Sequence, residues 1–157
     1  MGIYAKEKPM DLGVAGAVLE AGHGRAVAGR VVLDYEGRCL RRKRLVTDGG
    51  AGFLVDLPQT ISLSVGAAFA LDDGRVVEVV EAREQVLVIS GDLPRLAWHI
   101  GNRHCPCDLA GDHLVIRADP VLEAMLVQLG ATITRSFAPF RPEGGAYGHG
   151  RTFGHSH

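Results

Sequence analysis

The order of apolar periods between Gln85 and Phe137 constrains this chain more than any other feature. Gln85 to Ser90 is β-branched and reads as a strand. Asp92 can cap a helix with Pro94 in its first turn, and Leu93, Leu96, Ala97 and Ile100 then share one helical face. Cys105–Leu109 and His113–Arg117 read as short strands about the turn Ala110-Gly111-Asp112. Asp119 and Pro120 open a second helix with the apolar stripe Val121, Leu122, Met125, Leu126 and Leu129, and Gly130 supplies its stop. Thr132 to Phe137 is a last strand. Strand, helix, strand, strand, helix, strand is the split-βαβ, ferredoxin-like order, so the class is α+β.

The N-terminal half reads differently. From Ala26 to about Phe69 short strands alternate with turns: Val31–Leu33, Leu45–Thr47, and Phe53–Leu57 ended by Pro58. Tyr35-Glu36-Gly37 and Asp48-Gly49-Gly50 are turn chemistry, and Leu71-Asp72-Asp73-Gly74 is a hairpin signal before Val76–Val80. The first 25 or so residues are Gly/Ala-rich and carry no clear assignment. The expected organisation is a β-rich domain over 1–74 and a ferredoxin-like domain over 75–140. A flexible tail follows over 141–157, where RPEGGAYGHGRTFGHSH cannot bury enough surface to offset the cost of ordering.

Composition narrows the function classes. The net charge is -1, so no global field favours nucleic acid or an anionic membrane. No apolar run approaches the roughly 18 residues of a membrane span, and the N-terminus does not read as a secretory signal. Three cysteines, Cys39, Cys105 and Cys107, fit a reducing cytoplasm better than a disulfide framework. The basic run Arg41-Arg42-Lys43-Arg44 lacks interleaved aromatics and reads as an exposed strand face, not a nucleic-acid site. No phosphate loop, HExxH, paired CxxC or nucleophile elbow points to an enzyme. Asp72 and Asp73 sit in a turn with no evident partner.

Histidines carry the chemical signal. Imidazole is the commonest protein ligand for borderline divalent metals. Continuing the first helix's stripe four residues beyond Ile100 reaches His104, which would project from the buried or interface face as the helix ends. His149, His155 and His157 follow on the tail. A short flexible tether gives a ligand an effective concentration of order mM, so a tail histidine can join an ion already held. One fixed imidazole and several tethered ones suit a carrier that captures and releases an ion. A zinc hydrolase would need three fixed ligands and an acid–base group. His99 diverges from His104 on a helix, and His113 and His23 belong to no site. Cys105 and Cys107 alternate on the expected strand and read as buried and inert. A peptide-binding or folding module with incidental histidines is the rival reading.

At WHIGNRHCP the chain resembles the UreE family of urease accessory metallochaperones, which carry a Gly-Asn-Arg-His motif at the end of the first helix of their C-terminal domain. The resemblance continues through RRKRLVTDGGAGFLVDLP, GAAFALDDGRVVEVVEAREQVLVIS, VLEAMLVQLG and PFRPEGGAYGHG, covering roughly residues 30–157. It implies a cytoplasmic nickel carrier, with Zn²⁺ or Cu²⁺ able to substitute for Ni²⁺. It also implies a peptide-binding-like N-domain, and partners in the urease apoprotein and the urease accessory GTPase complex. It implies a homodimer in which His104 of each subunit meets its mate and His149, His155 or His157 completes the coordination. The second histidine pair that some members carry before their second helix is replaced here by Arg117-Ala118-Asp119-Pro120, so that peripheral site is expected to be absent. Cys105 and Cys107 stand where the family usually has apolar residues, which leaves a thiolate contribution open.

Overall fold

A computed structural model describes residues 10–144, which fall into two compact units: 10–33 with 38–80, and 34–37 with 81–144. The first unit is a six-stranded sheet of β1 (Asp11–Leu19), β2 (Val27–Leu33), β3 (Cys39–Val46), β4 (Gly52–Ser62), β5 (Ala68–Leu71) and β6 (Val76–Glu81). Its order is β2-β6-β5-β1-β4-β3, with β1 parallel to β4 and antiparallel to β5. Alternate residues of the strands face one core, where the Phe53 and Phe69 rings meet at a tilt with centroids 5.7 Å apart beside Ala15, Val55 and Val77.

Strand β1 lies inside the stretch that carried no assignment from sequence. It sits in the sheet interior, flanked on both sides by β4 and β5, with Ala15 fully buried. Its alanines and glycines have low strand propensity, so the pattern hides the strand. Pro58 does not end β4, which runs on to Ser62. The β3–β4 register slips between Leu40 and Arg42 at this level, and the bulge removes the need for the N–H that proline lacks.

The second unit is a four-stranded antiparallel sheet of β7 (Arg83–Ser90), β8 (Asp108–Leu109), β9 (Leu114–Arg117) and β10 (Thr132–Pro139), in the order β10-β7-β9-β8. Helices α1 (Leu93–Asn102) and α2 (Pro120–Gln128) cross over between its strands. Element order and strand order together are the ferredoxin-like α+β arrangement that the sequence predicts. Leu87, Ile89 and Ile116 from the sheet meet Leu96 and Ile100 of α1 and Leu122 and Leu126 of α2. On the opposite sheet face Val86 packs with Tyr35 and Phe140, whose rings meet edge-on at 5.2 Å.

Two local expectations fail in this unit. The strand expected over Cys105–Leu109 shrinks to Asp108–Leu109, because Pro106 has no N–H and the N–H of Cys105 is committed to the end of α1. Val121, placed on the apolar stripe of α2, is 67% exposed, and the helix buries Leu122 and Leu126 instead. The expected tail over 141–157 lies, from residue 145 onward, outside the described residues.

Candidate metal centre

Helix α1 begins as its sequence dictates: the Asp92 carboxylate accepts the Arg95 N–H at 3.4 Å, and Pro94 occupies the first turn. Its end is unusual. Arg103 is the C-cap, and His104, the next residue, has φ +56°. It is the one non-glycine residue with positive φ among the described residues. The His104 N–H donates to the carbonyl of Gly101 at 2.9 Å, and the Cys105 N–H donates to that of Ile100 at 3.3 Å. These two bonds are the Schellman closure, in which the left-handed position normally belongs to glycine. The imidazole therefore does not extend the Ile100 stripe as the helical spacing suggests. It sits past the helix, on a backbone turned the other way, and is exposed with Gly101, Asn102 and Arg103.

One turn before this end Trp98 is 63% exposed, with its ring edge-on to His99 at 5.0 Å. A Cβ built at Gly101 would meet nothing within 4 Å. The end of α1 thus leaves an indole, an open glycine and an imidazole exposed.

Cys105 and Cys107 are half-buried and pack against the same core as α1. Their thiols donate to the carbonyls of Pro106 and Asp108 at 3.5 and 3.7 Å. Burial, and then the negative charge of Asp119, raises the Cys105 pKa above its ordinary value. Burial, and then the neighbouring Cys105 and Asp108, pushes Cys107 up to about 11. Metal ligation needs the thiolate, so these residues enter as neutral packing groups unless an ion displaces their protons.

Behind Cys105 a cleft of about 330 Å³ is lined by Glu84, Gln85, Cys105, Arg117, Asp119 and Leu122, among others. Arg117 is already engaged, 2.9 Å from the Glu36 carboxylate and 5.0 Å over the Tyr35 ring. The remaining described histidines are local: the His23 ring accepts the Arg25 N–H, and His113 pairs with Asp112. The Asp72-Asp73 turn corrects another expectation, because Asp73 does have a partner: Arg75, at 2.7 Å, holds its carboxyl below the usual range.

Among the described residues no group of three or more His, Cys, Asp or Glu side chains is gathered to hold a metal ion. His149, His155 and His157 lie outside the described residues.

Comparison with known proteins decides the family. A model of the UreE urease accessory protein C-terminal domain matches residues 78–157, and one of the N-terminal domain matches residues 14–82. The chain belongs to the UreE family. It is 59% identical over 143 residues to a protein of Rhodobacter capsulatus named urease accessory protein UreE, covering 91% of this chain and 92% of that one. A protein of the same name from Ruegeria pomeroyi is 52% identical over 149 residues, covering 94% and 100% of the two chains. Another, from Paracoccus denitrificans, is 65% identical over 122 residues, covering 78% and 79%.

His104, His149, His155 and His157 all lie within the UreE C-terminal match. The backbone turn at His104 and the exposure of Trp98 could not be read from sequence. The usual C-terminal signal is Gly or Asn at the turning residue, and here Gly101 and Asn102 stand three and two places early. No helix among the described residues is long and apolar enough to cross a membrane.

Proposed function

We propose that this UreE-family protein is a cytoplasmic nickel carrier that delivers Ni²⁺ for assembly of the urease active site, and that it performs no catalytic step itself. The ion is held by His104 from each of two subunits and closed by His149, His155 or His157. The observation that carries this reading is the position of His104: an exposed imidazole on a fixed helix end, in a backbone conformation that disfavours any residue with a Cβ. A side chain kept there against about 1 kcal/mol of backbone preference is explained by a function outside the fold.

One protomer brings too few ligands together among its described residues, so a second copy is the economical source. At a two-fold axis one residue supplies two ligands. The exposed Trp98 and the open Gly101 beside His104 give such an axis an apolar surface to bury. Zn²⁺ or Cu²⁺ can occupy the same imidazoles, because ligand type alone does not separate these ions. Release requires an acceptor, and the urease apoprotein with the urease accessory GTPase complex fills that role.

Titration calorimetry with nickel chloride and light scattering on the untagged protein test the proposal. Wild type should bind as a dimer. His104→Ala should lose the tight site, and truncation after Gly148 should lower affinity while leaving the fold intact. Unchanged nickel affinity in His104→Ala overturns the assignment.

A further inference from the structure

The nickel reading leaves the basic run of the first unit without a role. Among the described residues strand β3 is an edge of its sheet, hydrogen-bonded only to β4. Among the described residues, Arg41, Arg42, Lys43 and Arg44 make no backbone hydrogen bond outside that ladder. All four side chains are exposed, and among the described residues none has a carboxylate within the 4.0 Å of an ion pair. Across the ladder Arg42 stands opposite Asp56, while Lys43 and Arg44 face Val55 and Leu54. The Arg44 guanidinium lies 3.4 Å from where a Cβ of Gly52 would be, so it is spread along the sheet and not drawn into a pair.

We propose that this edge binds an extended, acidic segment of a partner protein as an added strand. The open ladder supplies the main-chain bonds that such an addition uses. Side chains directly opposite across a strand pair are about 4.5–5.5 Å apart, so alternating carboxylates on the incoming segment would meet these cations. Two copies of β3 pairing with each other would set cation against cation. The same charges that keep the edge from joining its own kind therefore select a partner of opposite sign. A single-stranded nucleic acid is the poorer fit, since it needs aromatic platforms, and β3 carries no aromatic residue.

The test uses the full chain and a fluorescent ten-residue peptide alternating Glu with Val and Thr. A lysine counterpart, a version with prolines at alternate positions, and a uridine oligonucleotide serve as comparators, all read by anisotropy. The acidic peptide should bind, and weaken by about tenfold or more between roughly 0.05 and 0.5 M salt. The proline version keeps the charge but lacks N–H donors and should bind several-fold more weakly. Arg41→Glu with Lys43→Glu should abolish binding without changing the circular dichroism or the nickel affinity, which separates this site from His104. Absence of binding by the acidic peptide overturns the proposal. So does equal binding of the proline version, or tighter binding of the oligonucleotide.

Discussion

Helices α1 and α2 of the second unit close with the same pair of hydrogen bonds and differ in the residue that makes the turn. After α1 the Cys105 and His104 N–H groups reach Ile100 and Gly101; after α2 those of Ala131 and Gly130 reach Leu126 and Val127. The turning residue is His104 at φ +56° in one and Gly130 at φ +88° in the other. Glycine takes this conformation without steric cost, and the chain runs from Gly130 directly into β10. Histidine takes it at a cost, and the chain then crosses Pro106 before reaching β8. The α2 end shows what the fold requires. The α1 end departs from it by one side chain, and that side chain is the imidazole proposed to hold nickel.

Replacing His104 by glycine makes the two ends alike and should have the largest effect. Two ligands leave the proposed dimer site at once, so nickel affinity should fall on the order of 100-fold or more, by calorimetry. The same change should raise stability to denaturant by up to about 1 kcal/mol, the relieved strain minus the extra freedom of an unfolded glycine. A variant both tighter for nickel and less stable would show that His104 is there for the fold. The reverse change, Gly130→Ala, meets no steric obstacle, since its Cβ would touch nothing within 4 Å. Its cost is backbone conformation alone, about 1–2 kcal/mol, and nickel affinity should not move. Equal stability of this variant and wild type would mean that the left-handed position is cheap here, and the argument from strain at His104 would fall with it.

How much of this was legible in the sequence follows from which forces decide each feature. The βαββαβ order was legible because Leu87, Ile89, Leu96, Ile100, Leu122 and Leu126 bury what their spacing says they should. The caps Asp92 and Asp119 were legible because they act within a few residues. Strand β1 was not, because an Ala/Gly strand is specified by its neighbours β4 and β5 and not by its own pattern. The candidate ligand was legible as a residue and illegible as a geometry. Its spacing put His104 on the helix stripe, whereas the helix end is decided by hydrogen bonds to carbonyls and leaves the ring outside.

The segments after the two turns give a smaller, pH-dependent contrast. Behind His104 the thiols of Cys105 and Cys107 pack into the core beneath α1, and behind Gly130 no titrating group follows until Arg135. Burial favours the neutral thiol of Cys107 in the folded chain and pushes its pKa from 9.0 up to about 11. The contribution to stability is therefore complete below pH 9.0, is lost as pH rises toward about 11, and is constant beyond. Partial solvent access reduces the loss to about 1 kcal/mol. Denaturation curves between pH 8 and 11.5 should show this decline in wild type and in Gly130→Ala alike, whereas Cys107→Val should decline less. A Cys107→Val curve parallel to wild type would mean that the thiol is not held in the core, and that the loop fixing His104 is looser than its packing shows.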